Sequence, residues 1–285
     1  MRLKFWGTRG SIPVPGKTTI KYGGNTPCIQ IIFNSGEVII IDAGSGIREL
    51  GKEIIKNEYP KEFSLIITHT HWDHIQGIPF FLPLFDPKFS VNILSAKKEN
   101  SNISNIIEGQ INQYFFPISS SHLEAKITYK EIEELIPVKF NKSSITPVSV
   151  NHSKGTFGFK IIEDNKTIIY MTDNEIEYDA LNGHIDIETL RIQNNSLIEF
   201  CKGADYLIHD CMYNFNDHKK GWGHSNHIAL AVFAHLAEVN NLILFHYNPD
   251  YNDTIIDEIL SDTIHKLNQL NSSVTCEASF EGMIL

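Results

Sequence analysis

His69, His71, Asp73 and His74 place three imidazoles and a carboxylate within six positions, directly after the apolar run 63–68. Imidazole nitrogen and carboxylate oxygen are the donors that zinc and related divalent cations take. Residues i and i+2 of an extended chain point to the same side, so His69 and His71 can approach one cation, whereas Asp73 and His74 lie beyond the turn and can reach another. The plain alternative is a solvated loop with Asp73 capping the next helix. So dense a cluster of metal-binding side chains favours the metal reading.

A pair of cations needs more donors than one segment holds, and the chain offers them after other apolar runs. His152, in Ser149-Val150-Asn151-His152-Ser153, would complete a three-histidine set with His69 and His71; an exposed loop histidine is its alternative. Asp173, after the run 167–171, could bridge both cations or cap a helix ahead of Glu175. His246, after the run 242–245, would join Asp73 and His74, or else be a buried histidine satisfied by backbone. Two cations about 3.5 to 4 Å apart can neutralise the oxygens of a phosphodiester and generate hydroxide at neutral pH.

The elements that must position these donors are legible from hydrophobic periodicity and breakers. Strands are predicted over residues 2–6, 28–33, 38–41, 63–68, 90–94, 156–162, 167–171, 205–208 and 242–245, and helices over 47–56, 102–114, 194–202, 227–240 and 255–268. Residues 118–136 carry no clear pattern. His69, Asp173, Asp210 and His246 each follow an apolar run, and side chains displayed beyond strand ends line the binding crevice of layered folds. With no repeat, low-complexity segment or linker, residues 1–285 read as one domain of two β-rich halves.

Composition narrows the function classes. The 285 residues are 42% hydrophobic and 20% charged, with a formal net charge of -10. That charge, without a long Lys/Arg block, disfavours a grip on long nucleic acid; a small anion remains admissible because bound cations invert the local field. Cys28, Cys201, Cys211 and Cys276 are scattered, which suits buried thiols in a reducing compartment. Neither a charged-then-apolar leader nor a membrane-length apolar stretch is present, so a cytoplasmic protein is expected, with no membrane partner.

Taken in order, Asp42, His69-Thr70-His71-Trp72-Asp73-His74, His152, Asp173 and His246 resemble the five motifs of the metallo-β-lactamase fold superfamily. The resemblance spans nearly the whole chain. It implies an α+β fold, a four-layer αββα sandwich of two mixed sheets flanked by helices, and a hydrolase with two divalent metal ions, zinc foremost, with manganese or iron as alternatives. An aspartate at the bridging position, where the true lactamases carry cysteine, implies a phosphodiester substrate rather than a lactam. Gly221-Trp222-Gly223-His224-Ser225 looks like the Gly-His-Ser motif of the branch holding tRNA 3′-processing endonucleases and phosphoribosyl cyclic phosphodiesterases. There the histidine assists cleavage and a preceding acid orients it; Asp210 matches that acid, although the endonuclease pattern usually has glutamate. His209 beside it reads as structural.

Gly7-Thr8-Arg9-Gly10-Ser11-Ile12-Pro13 and Tyr22-Gly23-Gly24-Asn25-Thr26-Pro27-Cys28 also look like this branch, especially its cyclic-nucleotide phosphodiesterase-like members. Arg9, Asn25 and Thr26 are candidate phosphate contacts and Ser225 a further substrate contact, although turn chemistry alone also explains these segments. Trp222 is the candidate to stack on a base, whereas 80–85 is read chiefly as core. The expected activity is hydrolysis of small cyclic or linear phosphodiesters by metal-activated hydroxide. Asp73 would orient that hydroxide, and His224, held by Asp210, would assist the leaving oxygen. A tRNA 3′-endonuclease and a non-catalytic nucleotide sensor are the alternatives; the endonuclease would need a basic gripping arm, which the sequence lacks. The resemblance also implies a possible homodimer.

Overall fold

The chain opens with an antiparallel meander, β1 (Arg2–Gly7), β2 (Cys28–Ile32) and β3 (Val38–Ile41). Helix α1 (Ile47–Lys56) then crosses to β4 (Glu62–Ile67), parallel to β3. The short helix α2 (Trp72–Ile75) precedes β5 (Ser90–Ala96), and α3 (Ile103–Gln110) leads to β6 (Lys126–Ile132). These six strands form one mixed sheet in the order β1-β2-β3-β4-β5-β6. The structure, a computed structural model, describes residues 1–57, 59–96, 102–112, 114, 116–181 and 184–285.

The second half repeats the logic. Strands β7 (Val138–Phe140), β8 (Ser143–Ser149), β9 (Phe157–Glu163) and β10 (Lys166–Met171) pair antiparallel. A small hairpin of β11 (Ala180–Leu181) and β12 (His184–Ile185) follows, then α4 (Ile187–Gln193) and α5 (Asn195–Cys201). Parallel strands β13 (Tyr206–Asp210), β14 (Asn241–Phe245) and β15 (Thr275–Ala278) alternate with α6 (His227–Leu236) and α7 (Asp253–Gln269). The resulting sheet runs β15-β14-β13-β10-β9-β8-β7.

Side chains alternate between the two faces of each sheet along the strands, as the two-residue period requires. Ile39, Ile41 and Ile66 from one sheet meet Phe159, Ile161, Ile168 and Phe245 from the other in a shared core. Their neighbours Ile40, Leu65 and Ile67 face outward and are covered by Leu50 and Ile54 of α1. On the far side, Ile169, Leu207 and Leu242 pack with Leu230 and Phe233 of α6 and Ile256 of α7. Strands buried on both faces explain the continuous apolar runs. The layers are helix, sheet, sheet, helix, as the resemblance implies.

Several predicted boundaries move. The helix expected over 102–114 ends at Gln110, with Gln113 outside the described residues. The segment 194–202 is the second of two helices that meet at Asn194, whose buried side chain donates to Glu177 and Leu190 carbonyls. The helix expected to reach residue 240 stops at Leu236. Strand β6 was hidden in the patternless stretch because it lies at a sheet edge, with Ile132 its only buried residue. No helix among the described residues is long and apolar enough to cross a membrane.

Candidate metal centre

The site sits where strand ends from both sheets meet. Asp42 follows β3, Asp173 follows β10 after Thr172, and His246 follows β14; all three take left-handed backbone, with φ of 62°, 49° and 60°. Asp and His tolerate that region better than most residues, yet each such turn still costs of the order of 1–3 kcal/mol. Fully buried Asp42 ties the first loop together. Its Oδ1 accepts Thr68 N–H and Oγ1–H, both at 2.9 Å, and its Oδ2 lies 2.9 Å from His74 Nδ1. With Nδ1–H donated to Asp42, the tautomer leaves the lone pair of His74 Nε2 for the cleft.

Asp173 faces two groups of donors with different oxygens. Its Oδ2 lies 3.4 Å from His69 Nε2 and 3.5 Å from His152 Nε2, whereas its Oδ1 lies 3.2 Å from both His74 Nε2 and His246 Nε2. His152 Nε2 is 2.9 Å from His71 Nδ1, and Asp73 Oδ2 is 3.2 Å from His246 Nε2 and 3.3 Å from His74 Nε2. The donor atoms of His69, His71, His152 and Asp173 lie within 4.8 Å of one another, as do those of Asp73, His74 and His246. The structure therefore brings all seven candidate ligands together, and Asp173 caps no helix.

The donor set fits divalent cations on its own geometry. Buried His69 Nε2 and His74 Nε2 have no hydrogen-bond partner among the described residues. Leaving such atoms unsatisfied costs about 1–3 kcal/mol each. Burial, reinforced by His74, pushes the His69 pKa down to about 3, so that ring is the neutral ligand form. Burial opposes charge on His74, but the carboxylates of Asp173, Asp73 and Asp42 outweigh it and raise its pKa well above the imidazole norm. Burial likewise opposes charge on Asp173, which His246, His74 and His69 nevertheless hold well below the carboxylate norm. Converging lone pairs in a carboxylate field call for positive charge at their centre.

Beside this cluster, Asp210 ends β13 fully buried and sets its Oδ2 2.6 Å from His224 Nδ1. Its Oδ1 accepts Met212 N–H at 2.8 Å. The His224 ring stacks on His246, centroids 5.3 Å apart, and lies 5.1 Å from that of His152. Burial works against a charged His224, yet Asp210 first, then Asp173 and Asp73, push its pKa up to about 9. His209 is a buried structural residue, bonded to Asp210 O at 2.8 Å and Asn174 Nδ2 at 3.0 Å.

The expected substrate contacts divide. Trp222 is 62% exposed on a cleft of about 670 Å³ that also includes His71, His152 and Lys220. Arg9 is fully buried and donates to the carbonyls of Gly23 (2.8 Å), Tyr251 (2.6 Å) and Asn248 (3.4 Å), so it clamps the chain. Asn25 bonds Glu281 and Ser45, and buried Thr26 Oγ1 accepts Ser45 N–H at 2.8 Å. Buried Ser225 donates to Asn174 O at 2.6 Å and accepts Ile176 N–H at 3.0 Å. In this structure Arg9, Asn25, Thr26 and Ser225 fasten loops, the alternative weighed for the glycine-rich segments, and buried Arg9 Nη2 makes no hydrogen bond among the described residues, with Asp253 Oδ1 at 3.7 Å.

Sequence reasoning missed the supports around the donors. Thr68 fixes Asp42, Ser11 N–H donates to Asp73 Oδ2 at 2.8 Å, and Asn174 Oδ1 accepts Asn151 N–H at 2.9 Å ahead of His152. The available signal was polarity without exposure, an Asp-Asn-Glu run directly after an apolar strand.

A family model described as "Beta-lactamase superfamily domain" matches residues 37–247, more than half of the chain. The ribonuclease Z of Picrophilus torridus is 24% identical, covering 88% of this chain and 87% of that protein. Among solved structures, the metallo-beta-lactamase fold protein YhfI from Bacillus subtilis aligns at a TM-score of 0.70, with 16% identity and coverage of 100% and 98%. A diphosphatase from the PhnP family aligns at 0.66, with 17% identity and coverage of 100% and 96%. At such identities the two structures speak to the fold alone.

Proposed function

The chain belongs to the beta-lactamase superfamily domain family, and from that premise we propose that this metal-dependent hydrolase cleaves small cyclic or linear phosphodiesters, cyclic nucleotides foremost. The observation that carries the reading is His224, held at 2.6 Å by buried Asp210 beside a donor cluster centred on an aspartate. A lone metal-binding site has no use for such a pair, whereas a reaction with an oxygen leaving group gains from a positioned proton donor.

In this reading the whole chain, 1–285, is one catalytic domain. His69, His71 and His152 would hold one divalent cation, Asp73, His74 and His246 a second, and Asp173 would serve both. Zinc suits these mixed donors best, and manganese and iron fit them too. Such cations supply charge neutralisation and hydroxide at neutral pH. The protein supplies the rest. Asp73, its Oδ2 fixed by Ser11 N–H at 2.8 Å, orients the attacking water. His224 stabilises or protonates the departing oxygen, while Asp210 keeps its Nδ1–H in place and offsets the imidazolium charge.

The name ribonuclease Z on relatives matched over most of their length favours a second reading, tRNA 3′-end cleavage. Against it stand the net charge of -10 and the lack of a basic gripping segment in the sequence. Product formation from 2′,3′- and 3′,5′-cyclic nucleotides, cyclic dinucleotides and a precursor tRNA, with protein loaded in turn with Zn²⁺ and Mn²⁺, separates the two. Turnover of a cyclic class is expected. Cleavage of the tRNA alone would install the second reading, and saturable nucleotide binding without turnover would leave a sensor.

A further inference from the structure

Glu175, two residues beyond Asp173, is buried and directs its carboxylate at the backbone of a glycine turn. Gly221 N–H donates to Oε1 at 2.7 Å and Oε2 at 2.9 Å, and Gly223 N–H donates to Oε2 at 2.7 Å. Both glycines have positive φ, 83° and 78°, a conformation in which neighbouring N–H groups converge on one anion. Trp222 stands between them, 62% exposed, with the Lys219 ammonium 4.5 Å from its ring centroid. The turn is fastened on its other side as well: Gly223 O lies 2.9 Å from His152 Nδ1, and a Cβ on Gly223 would come within 2.1 Å of that nitrogen.

A rigid turn thus presents a mostly uncovered indole on the same cleft as His71 and His152. We propose that Glu175 is a positioning residue that fixes Trp222 as a stacking platform for an aromatic base carried by the substrate. This rests on the phosphodiesterase reading above. His224 is anchored separately by Asp210, and Ser225 by Asn174 O and Ile176 N–H. Loss of Glu175 therefore acts on Trp222 ahead of the proton donor, and its effect falls on preference for a base.

The test compares kcat/KM for adenosine 2′,3′-cyclic phosphate with that for base-free glycerol 1,2-cyclic phosphate, using the metal-loaded full chain. The ratio is expected to fall roughly tenfold in Glu175→Ala and in Trp222→Ala, within the range for one stacked base. It should fall no further in the double variant, since both changes remove one coupled feature, and Glu175→Gln, which keeps one acceptor oxygen and sets an NH2 where the other accepted, should fall by an intermediate amount. An unchanged ratio in Glu175→Ala and Glu175→Gln, or additive losses in the double variant, overturns the proposal. Should Glu175→Ala fail to fold, Glu175→Gln carries the test through a partial fall in the same ratio, and a parent-like ratio there overturns it. If the parent turns over neither ester nor any cyclic nucleotide of the panel above, the phosphodiesterase reading fails on its own. The near-ultraviolet circular dichroism of Trp222, taken as the difference between each protein and its Trp222→Phe counterpart, then decides positioning: loss on removal of Glu175 supports it, and an unaltered band overturns it.

Discussion

Asp210 Oδ2 and His224 Nδ1 stand 2.6 Å apart, the carboxylate fully buried and the imidazole 14% exposed beside the metal donors. A histidine held this way keeps Nδ1–H toward the carboxylate and its other nitrogen free to give up a proton. His224→Ala should keep the metal content of the parent, since the two donor groups built around Asp173 and Asp73 stand without it, and lower kcat by roughly 10²- to 10⁴-fold. Elemental analysis with turnover of a cyclic nucleotide checks both halves. An unchanged rate removes His224 from the mechanism.

The same pair sets a pH limit. Asp210, with Asp173 and Asp73, raises the folded pKa of His224 to about 9 from the usual 6.5, against the effect of burial. The proton donor and its contribution to stability are fully present below 6.5 and are lost as pH rises through the folded value. A cation bound at the centre would offset the share from Asp173 and Asp73, so the alkaline limb of kcat should lie between 6.5 and about 9. Asp210→Asn should move that limb to lower pH. A profile flat through this interval, in an enzyme limited by chemistry, would show that no proton on His224 is needed.

Most of the fold, and the residues that converge as candidate donors, were legible in the sequence for one physical reason. Strands buried on both faces need continuous apolar runs, as in Ile39 to Ile41 and Leu242 to Phe245, and a polar residue that ends such a run stands out. Asp173 and His246 announce themselves that way. Edge strand β6 did not, because its residues face solvent and carry no period. Arg9 shows a contact that the sequence hides: a cation in a glycine-rich loop suggests an anion site, whereas its hydrogen-bond partners here are backbone carbonyls of Gly23, Asn248 and Tyr251, and only folding brings the last two near it.

Those carbonyl bonds make Arg9 a fastener of the fold. Arg9→Met leaves the carbonyls of Gly23 and Tyr251 without the Arg9 donor, Asn248 O with Tyr251 N–H, and Asp253, 3.7 Å from the guanidinium, without its cation. Leaving buried carbonyls without a donor costs about 1–3 kcal/mol each. Thermal unfolding of the variant should show that loss as a lowered Tm, and KM for substrate should stay near the parent value. A raised KM with unaltered Tm would return Arg9 to the substrate site.

Asp173 faces both donor groups, one oxygen toward His69 with His152 and the other toward His74 with His246. Asp173→Ala removes a donor from each set at once, so metal should fall at both positions, whereas His71→Ala removes a donor from the first set alone. Metal titration should give a lower stoichiometry for Asp173→Ala than for His71→Ala. Stripping the parent with a chelator should also lower its Tm, since ions bound only to the folded state stabilise it by mass action. Retention of two full metal equivalents by Asp173→Ala would end the bridging role and leave two independent sites that share only a boundary.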